Sequence, residues 1–193
     1  MKVKDLIKDS AVMLNLGEVV DILEDGTKTD AEKQSATSVA ELVKLTDLSI
    51  RELCSHYMPV LSSCKITTTN KTYPLSSINN FIRLESASIE DKMVDFKIIN
   101  RVLVFEADGT YDIEYASYPN INNLDDDVSF LQNFGIDVAE YGLCAYYCLT
   151  KGLFDEFDNF YQRYIKKCET LKDMKTFIMP QRRWEWKLKK ELW

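Results

Sequence analysis

The sequence predicts an α+β protein: a helical bundle built from both ends of the chain, an inserted antiparallel β module, and an extended C-terminal arm. Two observations carry this expectation. The apolar period is helical up to Pro59, two from about Val60 to Tyr118, and helical again after Pro119. All three tryptophans, Trp184, Trp186 and Trp193, fall in the last ten residues, where a fraying, solvated terminus has little use for them. The expected boundaries are 1–59 and 120–175 for the bundle, 60–119 for the β module and 176–193 for the arm.

In chain order, Lys2 to about Asn15 carries Val3, Leu6, Ile7, Val12, Met13 and Leu14 at broken helical spacing and reads as a short helix with a loose end before Gly17. Glu18–Leu23 gives a further helical turn or two, and the polar stretch from Gly26 to Ser38 reads as a surface loop. A long helix follows, with Val39, Val43, Thr46, Ile50, Leu53, Cys54 and Tyr57 at intervals of three, four and seven, and Pro59 stops it. Five alternating or β-branched runs then begin at Lys65, Phe81, Met93, Arg101 and Thr110, separated by Asn70-Lys71, Glu90-Asp91, Asn100 and Asp108-Gly109. Asp-Gly between alternating strands predicts a hairpin there, and the block reads as a small antiparallel sheet or sandwich. A polar connection, Asn120–Asp127, returns to helices. One runs from about Asp137 to Lys151, with Val138, Tyr141, Ala145, Cys148 and Leu149 on one side, and Gly152 ends it. The last, Leu153 to about Met174, places Phe154, Phe157, Tyr161, Tyr164, Ile165, Cys168 and Leu171 on one stripe, expected to be core.

Charge is unevenly spread. Lys172–Trp193 holds seven Lys/Arg and three Asp/Glu, leaving seventeen basic and twenty-eight acidic residues elsewhere, so a tail of about +4 hangs from a body of about −11. A basic, aromatic arm on an acidic body suits an identical neighbour, another acidic protein or nucleic acid. An acidic body repels phosphate, which leaves any nucleic-acid contact to the tail alone and argues against sequence-specific recognition. No apolar run approaches the length of a membrane helix and no basic-then-apolar signal opens the chain, so a cytoplasmic site of synthesis and no membrane partner are expected.

The residues that could carry chemistry do not assemble in the sequence. Cys54, Cys64, Cys144, Cys148 and Cys168 are odd in number and scattered, and read as unpaired. Cys144 and Cys148 lie one helical turn apart, but no Cys-x-x-Cys pair or nearby histidine completes a metal site. His56, the one histidine, is two residues from Cys54, and helix geometry turns such a pair about 200° apart. Asp125-Asp126-Asp127 lacks the spacing of a calcium loop and reads as a solvated linker or capping turn. Neither a phosphate loop nor a nucleophile elbow is present. The expectation is a protein that is not an enzyme, with no cofactor and no metal.

The stretch Tyr141-Gly-Leu-Cys-Ala-Tyr-Tyr-Cys-Leu-Thr-Lys-Gly-Leu-Phe-Asp-Glu-Phe157, the aromatic helix after it, and Met179-Pro-Gln-Arg-Arg-Trp184 resemble the C-terminal half of head-to-tail adaptor proteins of tailed bacteriophages, the tail tubular proteins of short-tailed phages among them. A helical N-terminal half and an inserted β module extend the likeness to the architecture. The resemblance implies a virion protein of the neck: a ring, commonly of twelve copies, beneath the portal protein, presenting a platform to tail or neck proteins and letting DNA pass through its lumen. It implies that the bundle forms the ring wall, that Gly142, Ala145 and Gly152 allow close helix packing, and that the C-terminal arm docks on the portal.

The arm fits docking on physical grounds too. From Thr176 an extended chain spans roughly 60 Å. As an added strand it sets Trp184, Trp186 and Leu188 on the face opposite Glu185, Lys187 and Lys189, whereas a helix groups Trp184, Leu188 and Leu192 on one side and Trp186, Lys189, Lys190 and Trp193 on another. The candidate portal or intersubunit docking residues are Met179, Pro180, Arg182, Arg183, Trp184, Trp186, Lys187, Leu188, Lys189, Lys190 and Trp193. The alternatives are another ring protein of the neck or tail completion, or a cytoplasmic module whose Trp/Arg tail engages an acidic protein, with an enzyme assembled from distant residues as a third reading.

Overall fold

The computed structural model of the chain describes residues 1–131 and 135–178, with 172–178 as backbone only. It is a mixed helical and antiparallel-sheet protein and divides into two compact units, Met1–Ser49 with the chain from Ile121 onward, and Ile50–Asn120. The candidate docking residues Met179 to Trp193 lie outside the described residues. So does the expected arm, apart from 176–178, which continue the last helix.

In the helical unit, α1 (Val3–Met13) lies against α2 (Gly17–Glu24) and α5 (Ile136–Thr150), and α5 lies along α6 (Phe154–Ile178). A short α3 (Asp30–Ser35) precedes α4 (Thr37–His56), which begins in this unit and ends in the other. The apolar positions of α1 at Val3, Leu6, Ile7 and Ala11 recur every three or four residues, and all are fully buried. They share the unit with buried Val39, Leu42 and Val43 of α4, Val138, Leu143 and Ala145 of α5, and Tyr164 and Cys168 of α6. A methyl group added at Gly142 would collide with Ser49 Oγ and stand 3.2 Å from the Tyr164 ring. Gly142 therefore lets backbone approach these side chains closely, as expected of it, and a Cβ there would force Ser49 and Tyr164 to shift.

Gly152 has a different role, because a Cβ there would meet open space. Its φ of +72° closes α5: Gly152 N–H donates to Leu149 O at 3.2 Å and Leu153 N–H to Cys148 O at 2.9 Å, the paired bonds of a Schellman cap. The end of α1 is built in the same way on Asn15, at φ 56°, with Asn15 N–H to Val12 O and Leu16 N–H to Ala11 O. That end is capped rather than loose. The stretch read as a loop from Gly26 to Ser38 also contains α3, which starts in a capping box: Glu32 N–H donates to Thr29 Oγ1, and Thr29 N–H donates to the Glu32 carboxylate. Periodicity missed a helix this short because it has no apolar face to bury.

The second unit holds two antiparallel sheets. β1 (Val60–Thr67), β7 (Thr110–Ser117), β3 (Phe81–Ile89) and β4 (Lys92–Met93) form one in that order, and β2 (Thr72–Pro74), β6 (Val102–Val104) and β5 (Lys97–Ile99) the other. Both face a single core of Ile66, Ile78, Ala87, Leu103, Phe105, Tyr111 and Ile113, with Phe105 and Tyr111 stacked at 4.0 Å. The run from Met93 to Ile99 is not one strand. It leaves the first sheet after Met93, with Val94 N–H still on Ala87 O at 3.0 Å, and joins the second at Lys97.

Asp108-Gly109 makes no hairpin, because β6 and β7 belong to different sheets. Neither residue has the positive φ of a type I′ turn. They fasten the crossing between sheets instead: Asp108 Oδ1 accepts Lys71 N–H at 2.6 Å, and Gly109 exchanges bonds with Thr68. The two-residue turns are Asn70-Lys71, Glu90-Asp91 and Asn100-Arg101, each with both residues at φ between 48° and 63° and bracketed by paired residues. That is the I′ geometry, and its second position is filled by Lys71, Asp91 and Arg101 where glycine carries no Cβ penalty. Replacing each of the three singly by glycine is expected to stabilise the protein by a few tenths to about 1 kcal/mol, read as a higher urea midpoint at unchanged slope.

Candidate docking surface on the helical unit

Among the described residues, no group of three or more His, Cys, Asp or Glu side chains is placed to hold a metal ion, and no helix is long and apolar enough to cross a membrane. All five cysteines are free thiols. Burial pushes the Cys144 thiol up to about 12, while its S–H points to Ser10 O at 3.7 Å. Such a thiol is a packing group rather than a nucleophile or ligand. Cys54 is fully buried, whereas His56, at the end of the same helix, is exposed and edge-on to Tyr57.

The acidic run has a structural use. Asp126 accepts the backbone N–H groups of Asn122 and Asn123 at 2.7 and 2.8 Å. Asp127 accepts the hydroxyl and N–H of Ser129, and Asp125 pairs with Lys2. The backbone beside them is tied to the start of α1, with Val3 N–H on Asp126 O, Lys4 N–H on Leu124 O and Val128 N–H on Met1 O, each at 3.0 Å. Gln34 grips the same stretch with both ends of its amide, donating to Asn122 O and accepting Leu124 N–H, and Asp47 accepts Ile121 N–H at 3.1 Å. The run is therefore a clasp that returns the chain to the helical unit.

The stretch Tyr141–Phe157 becomes α5, its capped turn and the start of α6. Two pairs tie the helices on their outer side, Lys167 with Asp137 at 2.6 Å and the Arg163 guanidinium over the Tyr141 ring at 5.9 Å. Lys151 pairs with Glu41 of α4 at 2.7 Å and lies over the Tyr147 ring. A groove of about 320 Å³ opens beside that pair, lined by the α1–α2 turn, Ser38, Glu41, Leu42 and Tyr147.

The aromatic stripe of α6 is core only in part. Tyr164, Cys168 and Leu171 are buried, while Phe157, Phe160, Tyr161 and Ile165 are half-exposed. Phe154 is 66% exposed, and Leu149 and Leu153, across the same turn, are 44% and 43% exposed. Sequence periodicity places Leu149 and Phe154 on apolar stripes because it counts faces and not ends: in the α5–α6 pair, with Lys167 beside Asp137 and Arg163 beside Tyr141, residues 149–154 form the turn end. The result is an apolar corner followed directly by Asp155, Glu156 and Asp158, the first two at the first turn of α6. No protein-family model and no curated protein matches the chain.

The clasp makes stability depend on pH in a definite direction. The hydroxyl of Ser129 holds the Asp127 carboxyl below its ordinary range, and the Lys2 ammonium does the same for Asp125. At the end of α2 the Thr27 hydroxyl and N–H hold Asp25 at about 2. Each folded value lies below the unfolded one near 3.9, so the stabilisation is present above about pH 4 and is lost as pH falls toward 2. The urea midpoint is expected to drop between pH 4.5 and 2.5, and an Asp125→Asn, Asp127→Asn variant is expected to show a shallower drop.

Proposed function

We propose that this chain is a head-to-tail adaptor of a tailed-phage virion, a structural neck protein that forms a ring below the portal and leaves a passage for DNA. The observation that carries this reading is the antiparallel α5–α6 pair over the motif Tyr141–Phe157, locked at Gly142 and Gly152 and leading into the basic Met179–Trp193 segment. The two-unit division, with a β unit between the halves of a helical one, supports the reading. So does the net charge of −7, since an acidic wall lets DNA slide without holding it.

On this reading the helical unit forms the wall and the β unit meets tail or neck proteins. The segment Met179–Trp193, with Arg182, Arg183, Lys187, Lys189 and Lys190 among its tryptophans, docks on the portal or on an adjoining copy. The role is structural, with no catalytic step and no cofactor. Twelve copies follow from the likeness to adaptors. Another ring of the neck, at a different level, is the neighbouring alternative.

Mass photometry and cryo-electron microscopy with purified portal test the proposal. The full chain is expected to add a ring to the portal, and a chain ending at Ile178 is expected to fail to dock while keeping the thermal unfolding of the full chain. A full chain that stays monomeric and ignores the portal contradicts the proposal.

A further inference from the structure

We infer that the exposed apolar corner Leu149–Leu153–Phe154, with its acidic rim Asp155, Glu156 and Asp158, is the seat for the Trp184–Trp186 stretch of a second copy of this chain. The inference rests on the ring reading and adds the acceptor that the reading lacks.

Chemistry matches the two surfaces. The corner presents one aromatic and two leucine side chains that are 66%, 44% and 43% exposed within six residues of chain, and a cluster of apolar side chains rimmed by polar groups marks a contact site. Its rim is three carboxylates within four residues, Asp155–Asp158. The stretch Arg182-Arg183-Trp184-Glu185-Trp186-Lys187 offers the complement, two large aromatics between cations. Tryptophan and arginine are the side chains that most often anchor an interface. Here the indoles would cover Phe154 and the leucines while Arg182, Arg183 and Lys187 meet the carboxylates, which also steers encounter.

Geometry favours a second copy over the same one. Phe154 opens α6 and Ile178 is its last described residue, so the two ends of that helix stand about 36 Å apart at 1.5 Å per residue. Trp184 is six residues beyond Ile178, a reach of about 20 Å even when fully extended. Trp184 therefore cannot return to its own corner, and Trp186, with a reach of about 28 Å, returns only on a fully extended chain. A contact in which one end of a copy meets the opposite end of the next is heterologous, and repetition of it closes a ring or runs on as a filament. The corner is also held rigidly, because the Schellman bonds of Gly152 and Leu153 fix the turn that presents the three side chains.

The test uses the full chain with a photoreactive benzoylphenylalanine in place of Phe154, mixed with an equal amount of uniformly nitrogen-15-labelled unmodified chain, irradiated over rising concentration, digested and read by mass spectrometry. The expected product is a cross-link from the unlabelled corner to the labelled peptide containing Trp184 and Trp186. Cross-links confined to one copy, to other peptides, or absent altogether overturn the inference. A second variant, Leu153→Asp with Phe154→Asp, alters only exposed positions and is expected to keep its circular dichroism spectrum while lowering the assembled fraction at least tenfold; unchanged assembly also overturns it. The portal separates the two ideas. Docking on the portal without corner cross-links leaves the adaptor reading standing alone, and corner cross-links in a chain that ignores the portal leave the copy-to-copy contact standing alone.

Discussion

The helical unit is made of two stretches of chain separated by the whole of the 50–120 unit, and it can form only if the returning chain is fixed against the first stretch. Closing a flexible loop of roughly 70 residues costs about 4 kcal/mol of chain entropy. The β unit removes much of that cost by its own topology. Its first and last long strands, β1 and β7, pair along their full length with Val60 opposite Ser117, so the chain leaves the sheet one strand spacing, about 5 Å, from where it entered. The clasp at Ile121–Val128 completes the closure: three backbone bonds to the first residues of the chain, both ends of the Gln34 amide, and the Asp47 carboxylate. Everything that depends on α5 meeting α1 depends on this return.

From that closure the exposed corner follows. With α5 fixed against α1, Gly142 admits Ser49 and the Tyr164 ring, and α6 is laid along α5. The capped turn at Gly152 ends that pair and holds Leu149, Leu153 and Phe154 as an exposed corner with carboxylates beside it.

Much of this was legible in the sequence, and the failures have physical causes. Helical period located α1, α4, α5 and α6, Pro59 marked the change of regime, and Asn70-Lys71, Glu90-Asp91 and Asn100 marked real turns. What failed was pairing. Asp108-Gly109 carries the chemistry of a hairpin, yet a local dipeptide cannot show that β6 and β7 lie in different sheets, and Met93–Ile99 alternates without showing that it changes sheet midway. The three-residue β2 ends at Pro74 and is too short for any period. The acidic run reads as a linker or capping turn, and its role as a clasp depends on the partners Lys2, Gln34 and Ser129, which only folding brings near. The exposed corner was hidden because an apolar residue in a helical stripe looks the same whether or not folding lays another element over it.

The dependence of the helical unit on the clasp can be measured by hydrogen exchange under native conditions, comparing the parent chain with Gln34→Ala and Asp47→Ala. The amides of α1 and α5 are expected to exchange as one unit in the parent, and both variants are expected to lower the protection of the two helices together while leaving β1 and β7 protected. If α1 and α5 lose protection independently, or if the variants leave both helices unchanged, the clasp is not what closes the unit.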